Sequence, residues 1–428
     1  MRILKDLSEL VQENVISHEI AERITSYYDQ KNQKPSNKLV LIFGILGALL
    51  VGTGILLILA HNWDSLSKIS KTSLAFLLLL ASQTLCLFTL LRKSDNAVWR
   101  ECSAAFLSLA LGSCISLISQ IYHISGDFKQ FILVWSLLTL PLVYLMRSSV
   151  TMLLFIIGIT AYLIDYSVQS EQITKAFIYL LLLAFVLPYY FQNIRKNQDH
   201  ILLTLIHWAI PLSLLFMPVT LARDNGEYVF IIYFSLLAAF LAVGQSNYFN
   251  SKVPIQNGYS YIGSIGTVIL LWILSFDGFW NTLIDKIIPW SSWMHTPEFL
   301  FAIIISLLTM ALQLFQLKTG ILTKFQALQF VYLVFIPIFF LGFSSSLSIL
   351  SINLLCFLIG LLIILQGLKK HNLSELNSGL FIISGLVICR FFDSDLSFVL
   401  RGVLFVCIGL GFFIINYRML KSKKDHES

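Results

Sequence analysis

The chain alternates long runs of apolar residues with short polar connections. Most of the runs approach the roughly 20 residues that a helix needs to cross the hydrocarbon core of a bilayer. The pattern therefore predicts an all-α, polytopic integral membrane protein in which each long apolar run is a transmembrane helix. We predict about fourteen spans, at residues 39–60, 69–91, 101–124, 131–146, 148–165, 174–191, 200–219, 228–245, 258–276, 299–317, 325–343, 347–367, 377–391 and 396–418.

The residues before the first span are polar by comparison and form a leader. Apolar residues from Ile3 to Val11 recur at helical spacing, and Ser17 is a candidate N-cap for a second helix. We expect a short cytosolic helical hairpin that packs on itself, on the membrane surface or on a cytosolic partner of residues 1–34, because short helices alone are marginal. A solvated amphipathic leader without a partner is the alternative. The predicted organisation is a leader with a basic linker at 1–38, a transmembrane domain at 39–418 and a basic cytosolic tail at 419–428.

Composition and charge agree with this architecture. The chain is 57% hydrophobic and only 12% charged, with a mean hydropathy of +0.81. A net charge of +6 would suggest nucleic acid as a partner in a soluble protein. Here most of the 29 Lys and Arg residues fall on one set of alternate connections when the N-terminus is inside. Since cytoplasmic loops carry the excess of Lys and Arg, we predict that both termini are cytoplasmic and expect no nucleic-acid partner.

Sequence signals of catalysis or cofactor binding are missing from the chain. All six cysteines lie within or at the ends of apolar runs and form no CxxC pair, so we interpret them as buried thiols rather than disulfides or metal ligands. No Walker loop, GxGxxG, HExxH or GxSxG motif occurs. We therefore predict no cofactor and no metal site.

The end of the third span carries the most distinctive polar pattern. Ala104, Ser108, Gly112, Ser116 and Gln120 follow one another in steps of four, which puts small residues along one helix face. Such a stripe lets another helix approach closely inside a membrane. Beyond it stand polar side chains at Gln120, Tyr122, His123 and Asp127. They indicate either a ligand site at the membrane face or simply a polar helix end.

Two other polar groups lie on the same predicted outer side. The first span ends in His61-Asn62-Trp63-Asp64, and the last hairpin carries Arg390, Asp393 and Asp395. A structural ion pair of Arg390 with either aspartate is one interpretation. The other interpretation is a single outer-facing pocket, which requires that spans one and three meet. The predicted ligand-binding residues are His61, Asn62, Asp64, Gln120, Tyr122, His123, Asp127, Arg390 and Asp393.

Two further features bear on membrane function. His207 lies within span seven beside Pro211, which is expected to kink the helix; the histidine either serves transport or bonds to a neighbouring helix. The connection from Phe276 to Phe299 places Phe279 and Trp280 among apolar residues at helical spacing. It predicts an amphipathic helix in the outer interface that either roofs a cavity or only connects two spans.

Several stretches together resemble a known family. These are the leader LVQENVISHEIAERI, the glycine-rich GILGALLVGTGILLILAHNWD, the segment SQIYHISGD and the final RFFDSDLSFVLRG. In this order they are similar to the bacterial predicted membrane proteins of domain of unknown function 2157, mainly over residues 1 to about 145. The resemblance implies an integral membrane protein of bacterial type and brings no activity with it. We predict that it lies in the bacterial inner membrane. The matching residues are Ala60, Asn62, Trp63, Gln120, Tyr122, Gly126 and Asp127.

Three classes of function fit the pattern. The first, which we favour, is a protein that binds or transports a small or lipid-like molecule through the outer-facing pocket. The second is a membrane sensor or assembly scaffold that signals through the N-terminal hairpin. The third is a transferase or hydrolase acting on a lipid-linked substrate, with His123 as base, but nothing resembles an activated nucleophile. The expected partners are membrane lipid, a small-molecule or lipid-linked ligand, and a cytosolic partner of residues 1–34.

Overall fold

A computed structural model gives the fold. It describes residues 63–164, 172–196, 201–222, 226–250, 252–284, 296–321 and 326–393, together with 15–32 and a few isolated positions in the leader and between 403 and 413. Every regular element in these ranges is helical. The helices are α1 His18–Asn32, α2 Lys68–Arg92, α3 Ala97–Tyr122, α4 Phe128–Leu145, α5 Ser149–Ile164, α6 Gln172–Arg195, α7 Ile201–Leu214, α8 Met217–Leu221, α9 Val229–Gly244, α10 Asn247–Asn250, α11 Gly258–Ile273, α12 Asp277–Ile284, α13 Pro297–Lys318, α14 Val331–Leu341, α15 Leu347–Lys369 and α16 Leu373–Asp393.

The all-helical, multi-pass prediction is confirmed. Within the described ranges, nine helices are long and apolar enough to cross a membrane, and each overlaps a predicted span. Helices α11 and α12 pass the same test as a pair but are bent by 67°. Ser149–Ile164 and Ala327–Leu341 are shorter apolar helices. The predicted first span at 39–60 and most of the last at 396–418 lie outside the described residues.

Backbone contacts divide the chain into residues 1–74 and 75–428. In the first unit, the Ile20 backbone N–H donates to Ser17 Oγ over 3.4 Å, so Ser17 begins α1 as predicted. Arg23 and Glu19 form an ion pair at 2.9 Å on the exposed surface of α1. These local contacts hold one short helix of the predicted hairpin, while the other lies almost wholly outside the described residues.

The second unit is built around one large apolar core. Its fully buried side chains include Phe155 on α5, Tyr179 on α6, Leu271 on α11 and Phe335 on α14. Side chains on the opposite faces of these helices, such as Phe185 and Ile269, are exposed, as expected of residues that face lipid. The core therefore lies between helices that are apolar nearly all round.

Helices α15 and α16 form a tight hairpin in which the backbones touch. A Cβ atom on Gly379 would lie 2.6 Å from the carbonyl oxygen of Gly360 on the facing helix. Only glycine fits at such a distance, and small residues give membrane helices this kind of close contact. The two helices of the hairpin are thus tightly packed, and the polar C-terminal end of α15 lies next to the polar N-terminal end of α16.

Candidate functional site

The predicted site residues on α3 and α4 lie in one exposed turn. Gln120 and Tyr122 are in the last turn of α3, and the Tyr122 side chain is 51% exposed. His123 ends α3 in the left-handed conformation at φ 52°, with its backbone N–H bonded to the Ser119 carbonyl. Asp127 begins α4 and accepts a hydrogen bond from Gln130 N over 2.8 Å. His123 and Asp127 therefore have structural roles in the turn, as the C-cap of α3 and the N-cap of α4.

The small-residue stripe on α3 packs against α4. Ala104 and Ser108 are fully buried, and Trp135 Nε1 donates to the Ser108 carbonyl over 2.7 Å. A Cβ atom on Gly112 would lie 3.1 Å from the same Trp135 Nε1. Farther along, Ser116 and Gln120 are exposed. The small-residue stripe therefore packs against the edge of the Trp135 indole ring, and its end at Ser116 and Gln120 is exposed.

The other predicted residues are spread along the chain. His61 and Asn62 lie outside the described residues, and Asp64 is exposed. Asp393 is the last residue of α16, with a side chain outside the described part, as is the whole of Asp395. Because span one is not described, the expected contact between spans one and three stays a prediction.

Arg390 has a described partner that the sequence did not indicate. Its Nη1 donates to the Ser275 carbonyl over 2.8 Å and to Asp277 Oδ1 over 3.0 Å. Both acceptors lie at the bend between α11 and α12. This ion pair with Asp277 was not predicted, and the predicted pairing of Arg390 with Asp393 or Asp395 stays a prediction because those side chains lie outside the described residues.

The bend between α11 and α12 frees carbonyl groups that side chains then satisfy. The Leu274 carbonyl accepts from Trp280 Nε1 over 2.7 Å, and the Ser275 carbonyl accepts from Asn353 Nδ2 over 3.2 Å as well as from Arg390. Irregular backbone at membrane depth needs such partners because lipid supplies none. Part of the predicted connecting helix is present as α12, in which Trp280 is fully buried within the protein, and its position at the membrane interface stays a prediction.

His207 takes part in a buried hydrogen-bond chain. Its Nδ1 lies 2.9 Å from the Tyr190 hydroxyl and its Nε2 lies 3.3 Å from the Tyr248 hydroxyl. Both ring nitrogens thus face tyrosines on neighbouring elements. This arrangement favours the interpretation in which the histidine bonds to neighbouring helices. Helix α7 runs through Pro211 and ends at Leu214.

Two adjoining cavities, with volumes of about 640 Å³ and about 810 Å³, share wall residues on α11 and α16. The first also borders the segment from Gly244 to Asn257, and the second borders α15. We call the combined space the α11–α16 cleft. The first cavity has polar and apolar surface in nearly equal parts, with Lys252 and Asn257 on its wall. The second is largely apolar, with Trp272 and Phe381 on its wall. Residues shared by both walls are Ser264, Ile265, Gln326, Ser374, Glu375 and Ser378.

Charged groups line both cavities: Lys252 lines the first, Lys370 the second and Glu375 both. Lys370 Nζ contacts both carboxylate oxygens of Glu375, at 2.9 and 3.1 Å. Lys252 Nζ lies 5.0 Å from the centre of the Tyr248 ring. In the described part of the chain no three His, Cys, Asp or Glu side chains gather as metal ligands would. The cleft is therefore suited to a molecule with both a polar and an apolar part.

No local sequence signal points to this cleft. Its walls come from segments around residues 244–272, 321–328 and 363–382, which are separated by whole helices. Taken singly, each lysine, serine or glutamine there is an ordinary residue at a membrane interface.

Comparison with known proteins supports the resemblance. Residues 8–152 match the family model DUF2157, which is described as a predicted membrane protein. The matched segment is roughly a third of the chain and includes the first span and the α3–α4 turn. No curated protein and no solved structure matches the chain. The α11–α16 cleft lies outside the matched segment.

Proposed function

We propose that this multi-pass membrane protein binds or transports a small, lipid-like molecule, and that the α11–α16 cleft holds it. The observation that carries the proposal is that a cavity of mixed polarity continues into a largely apolar one through shared wall residues, among them Ser264 and Ser378. Each cavity falls within the range of about 300–1,000 Å³ that suits small-molecule ligands. Exposed apolar side chains at Ile269 and Phe381 make the cleft accessible from lipid.

The proposed topology has fourteen spans in a bacterial inner membrane, with both termini in the cytoplasm. Every predicted span between residues 69 and 391 coincides with a described helix or bent helix pair, which supports the count. The excess of Lys and Arg on alternate connections supports the orientation. In this topology Lys252 and Lys370 are cytoplasmic, so the cleft opens in the inner half of the membrane.

The outer-facing pocket belongs to the same proposal as a second contact region. In the proposed topology the α3–α4 turn, with Gln120, Tyr122, His123 and Asp127, lies on the outer side, opposite the mouth of the cleft. A transporter needs polar groups near both faces, because its ligand is exposed to each side in turn. The turn is exposed, which is compatible with that role.

Native mass spectrometry of the protein released from gentle detergent tests the proposal. Ser378→Phe fills the cleft from a position on both cavity walls, and Thr84→Phe is its matched control. Both hydroxyls donate only to a backbone carbonyl of their own helix, and both side chains are exposed. We expect a bound species in the wild type and in Thr84→Phe that is lost in Ser378→Phe.

Two results would overturn the cleft assignment. One is a wild-type protein that carries no bound species; the other is a species that stays bound in Ser378→Phe. His123→Ala and Asp127→Asn, measured alongside, locate the ligand: loss in these two variants with retention in Ser378→Phe moves the site to the outer turn.

A sensor or assembly scaffold is the second candidate function, and one observation favours it. The apolar side chains of Val15 and Ile20 in the leader are 65% and 49% exposed. Such residues suit a cytosolic partner. Deleting residues 1–34 discriminates between the two functions: a binder or transporter keeps its bound species, whereas a scaffold loses the proteins that crosslink to the intact leader.

A further inference from the structure

We propose that the occupant of the α11–α16 cleft is a lipid with an uncharged sugar headgroup, held by serine hydroxyls of α11 and α16. This inference rests on the proposed function and specifies its ligand. The sugar lies in the first cavity, which has mixed polarity, and the acyl part lies in the second, which is largely apolar.

Two pairs of serines line the cleft from two different helices. Ser260 and Ser264 are four residues apart on α11, and Ser374 and Ser378 are four residues apart on α16. Residues at this spacing lie on the same face of a helix, so each pair presents two hydroxyls to one space. All four serines line the first cavity, and all except Ser260 also line the second.

Three of these hydroxyls are available to a ligand. A serine in a membrane helix often donates to a carbonyl one turn back, as Ser378 does to the Ser374 carbonyl over 2.8 Å. The hydroxyls of Ser260, Ser264 and Ser374 make no hydrogen bond to any other residue that the structure describes. Each of them has one donor and two acceptor positions to offer. A ligand that matches them carries several groups able both to donate and to accept, as sugar hydroxyls are.

The charged groups beside these serines suit an uncharged headgroup. Glu375 lines both cavities, and Lys370 Nζ binds its two carboxylate oxygens at 2.9 and 3.1 Å. Carboxylate oxygens accept hydrogen bonds from sugar hydroxyls, whereas they repel a phosphate. The ammonium group of Lys252, on the wall of the first cavity, can donate to a hydroxyl oxygen, so its position there does not require an anionic ligand.

Tyr261 adds an aromatic ring to the wall of the first cavity. Its side chain is 40% exposed and stacks on Trp208, with the ring centroids 5.7 Å apart. A sugar ring has an apolar C–H face as well as hydroxyls, and this face can pack on an aromatic ring. A sugar therefore matches both the serine hydroxyls and the apolar part of this wall.

The second cavity distinguishes a sugar-headed lipid from a free sugar. Val268, Trp272 and Ile382 line it with apolar side chains, and Phe381 on the same wall is 63% exposed. A free sugar leaves this surface uncovered, whereas an acyl chain gains free energy by covering it. The acyl chain reaches the cavity sideways from the bilayer, past Ile269 and Phe381.

The test is competitive lipid binding to the full-length protein, read by native mass spectrometry. The protein in detergent receives equal amounts of glucosyl diacylglycerol, phosphatidylglycerol and phosphatidylcholine with identical acyl chains. The first headgroup is an uncharged sugar, the second is anionic, and the third is zwitterionic and has no hydroxyl. We expect the wild type to retain the glucosyl lipid over each phospholipid by on the order of tenfold, because the sugar forms several hydrogen bonds with the wall.

The variant Ser264→Ala/Ser374→Ala removes two wall hydroxyls without adding bulk, and we expect it to lose most of that preference. Ser351→Ala/Thr84→Ala is the matched control, since both hydroxyls donate to a carbonyl of their own helix and neither residue lines a cavity. The inference requires that the control keeps the wild-type preference. A preference that survives in the cleft variant, or that is lost in the control as well, would overturn it.

Failure of this inference and failure of the proposed function give different results. If the wild type retains all three lipids equally, or prefers phosphatidylglycerol, and Ser378→Phe loses them, the cleft binds lipid but the sugar assignment is wrong. If methyl glucoside at the same concentration displaces the glucosyl lipid, the site binds free sugars and the lipid assignment is overturned. If the wild type retains none of the three lipids, this inference fails, while loss of the copurified species in Ser378→Phe still tests the proposed function separately.

Discussion

Glu101 on α3 caps the amino end of α5: its Oε1 accepts a hydrogen bond from the backbone nitrogen of Ser149 over 2.9 Å. Its Oε2 accepts from Val150 N over 2.9 Å and from Ser148 Oγ over 2.5 Å. The first turn of a helix has N–H groups without intrahelical partners and carries positive partial charge. A carboxylate from a neighbouring helix satisfies both needs and joins α3 to α5.

We expect Glu101→Gln to lower the free energy of unfolding by about 1–3 kcal/mol, because the backbone N–H groups of α5 lose a charged acceptor. Asp95→Asn, in the exposed turn before α3, removes a carboxylate with no described role and serves as control. Thermal unfolding in detergent measures the stability of both variants. Equal midpoints for the two variants would contradict the capping role.

Gly112→Leu should destabilise the protein by overpacking. Its Cβ atom would meet the Trp135 ring at 3.1 Å, and the displaced ring would lose its bond to the Ser108 carbonyl. Overpacking of this kind costs about 1–3 kcal/mol. Gly126→Leu is the control, since no atom lies within 4 Å of an added Cβ there. A Gly112→Leu protein that unfolds at the wild-type temperature would argue against the packed stripe.

A double-mutant cycle separates the contact of Arg390 with Asp277 from its contact with the Ser275 carbonyl. The ion pair with Asp277 is partly exposed, with side chains 31% and 41% accessible, so Asp277→Asn should cost at most about 1 kcal/mol. Arg390→Gln should cost more, about 1–3 kcal/mol, because the Ser275 carbonyl also loses a donor. The free energies of unfolding of the two single variants and the double variant give the coupling free energy between Arg390 and Asp277. If Asp277→Asn proved the costlier change, the carbonyl contact would not be the dominant one.

Asp127 allows a structural role to be separated from ligand binding. Asp127→Ser keeps an oxygen that can cap α4 and should retain stability, whereas Asp127→Ala should lose about 1 kcal/mol. If Asp127 also binds a ligand through its charge, the serine variant is stable yet loses the bound species. Melting curves and native mass spectra of the same two samples give the answer. Retention of the ligand by Asp127→Ser would limit this residue to capping.

The positions of the membrane helices could be predicted closely from the sequence. A helix of about 20 apolar residues has to end where lipid gives way to water, so the change in polarity marks both ends. The span predicted at 347–367 agrees within two residues with helix Leu347–Lys369. The span predicted at 131–146 agrees within three residues with helix Phe128–Leu145. Ser17 at the start of α1 was also identifiable from cap chemistry.

The arrangement of those helices could not be predicted in the same way. In a membrane the outward face of a helix is as apolar as its packed face, so periodicity does not identify neighbours. The sequence therefore does not indicate that Lys252 and Lys370 line the same cleft. The bend after Leu274 carries no proline, whereas Pro141, Pro188 and Pro337 lie inside helices. What holds the bend is tertiary contact with Asn353 and Arg390.

The bend between α11 and α12 also has a consequence for biosynthesis. Arg390 follows Ser275 by 115 positions, so the ribosome completes this arginine long after the bend has been synthesised. Before then the Ser275 carbonyl has at most one of its two described side-chain donors, Asn353. The set of contacts at the bend is therefore complete only after α16 has been synthesised, late in the biosynthesis of the chain.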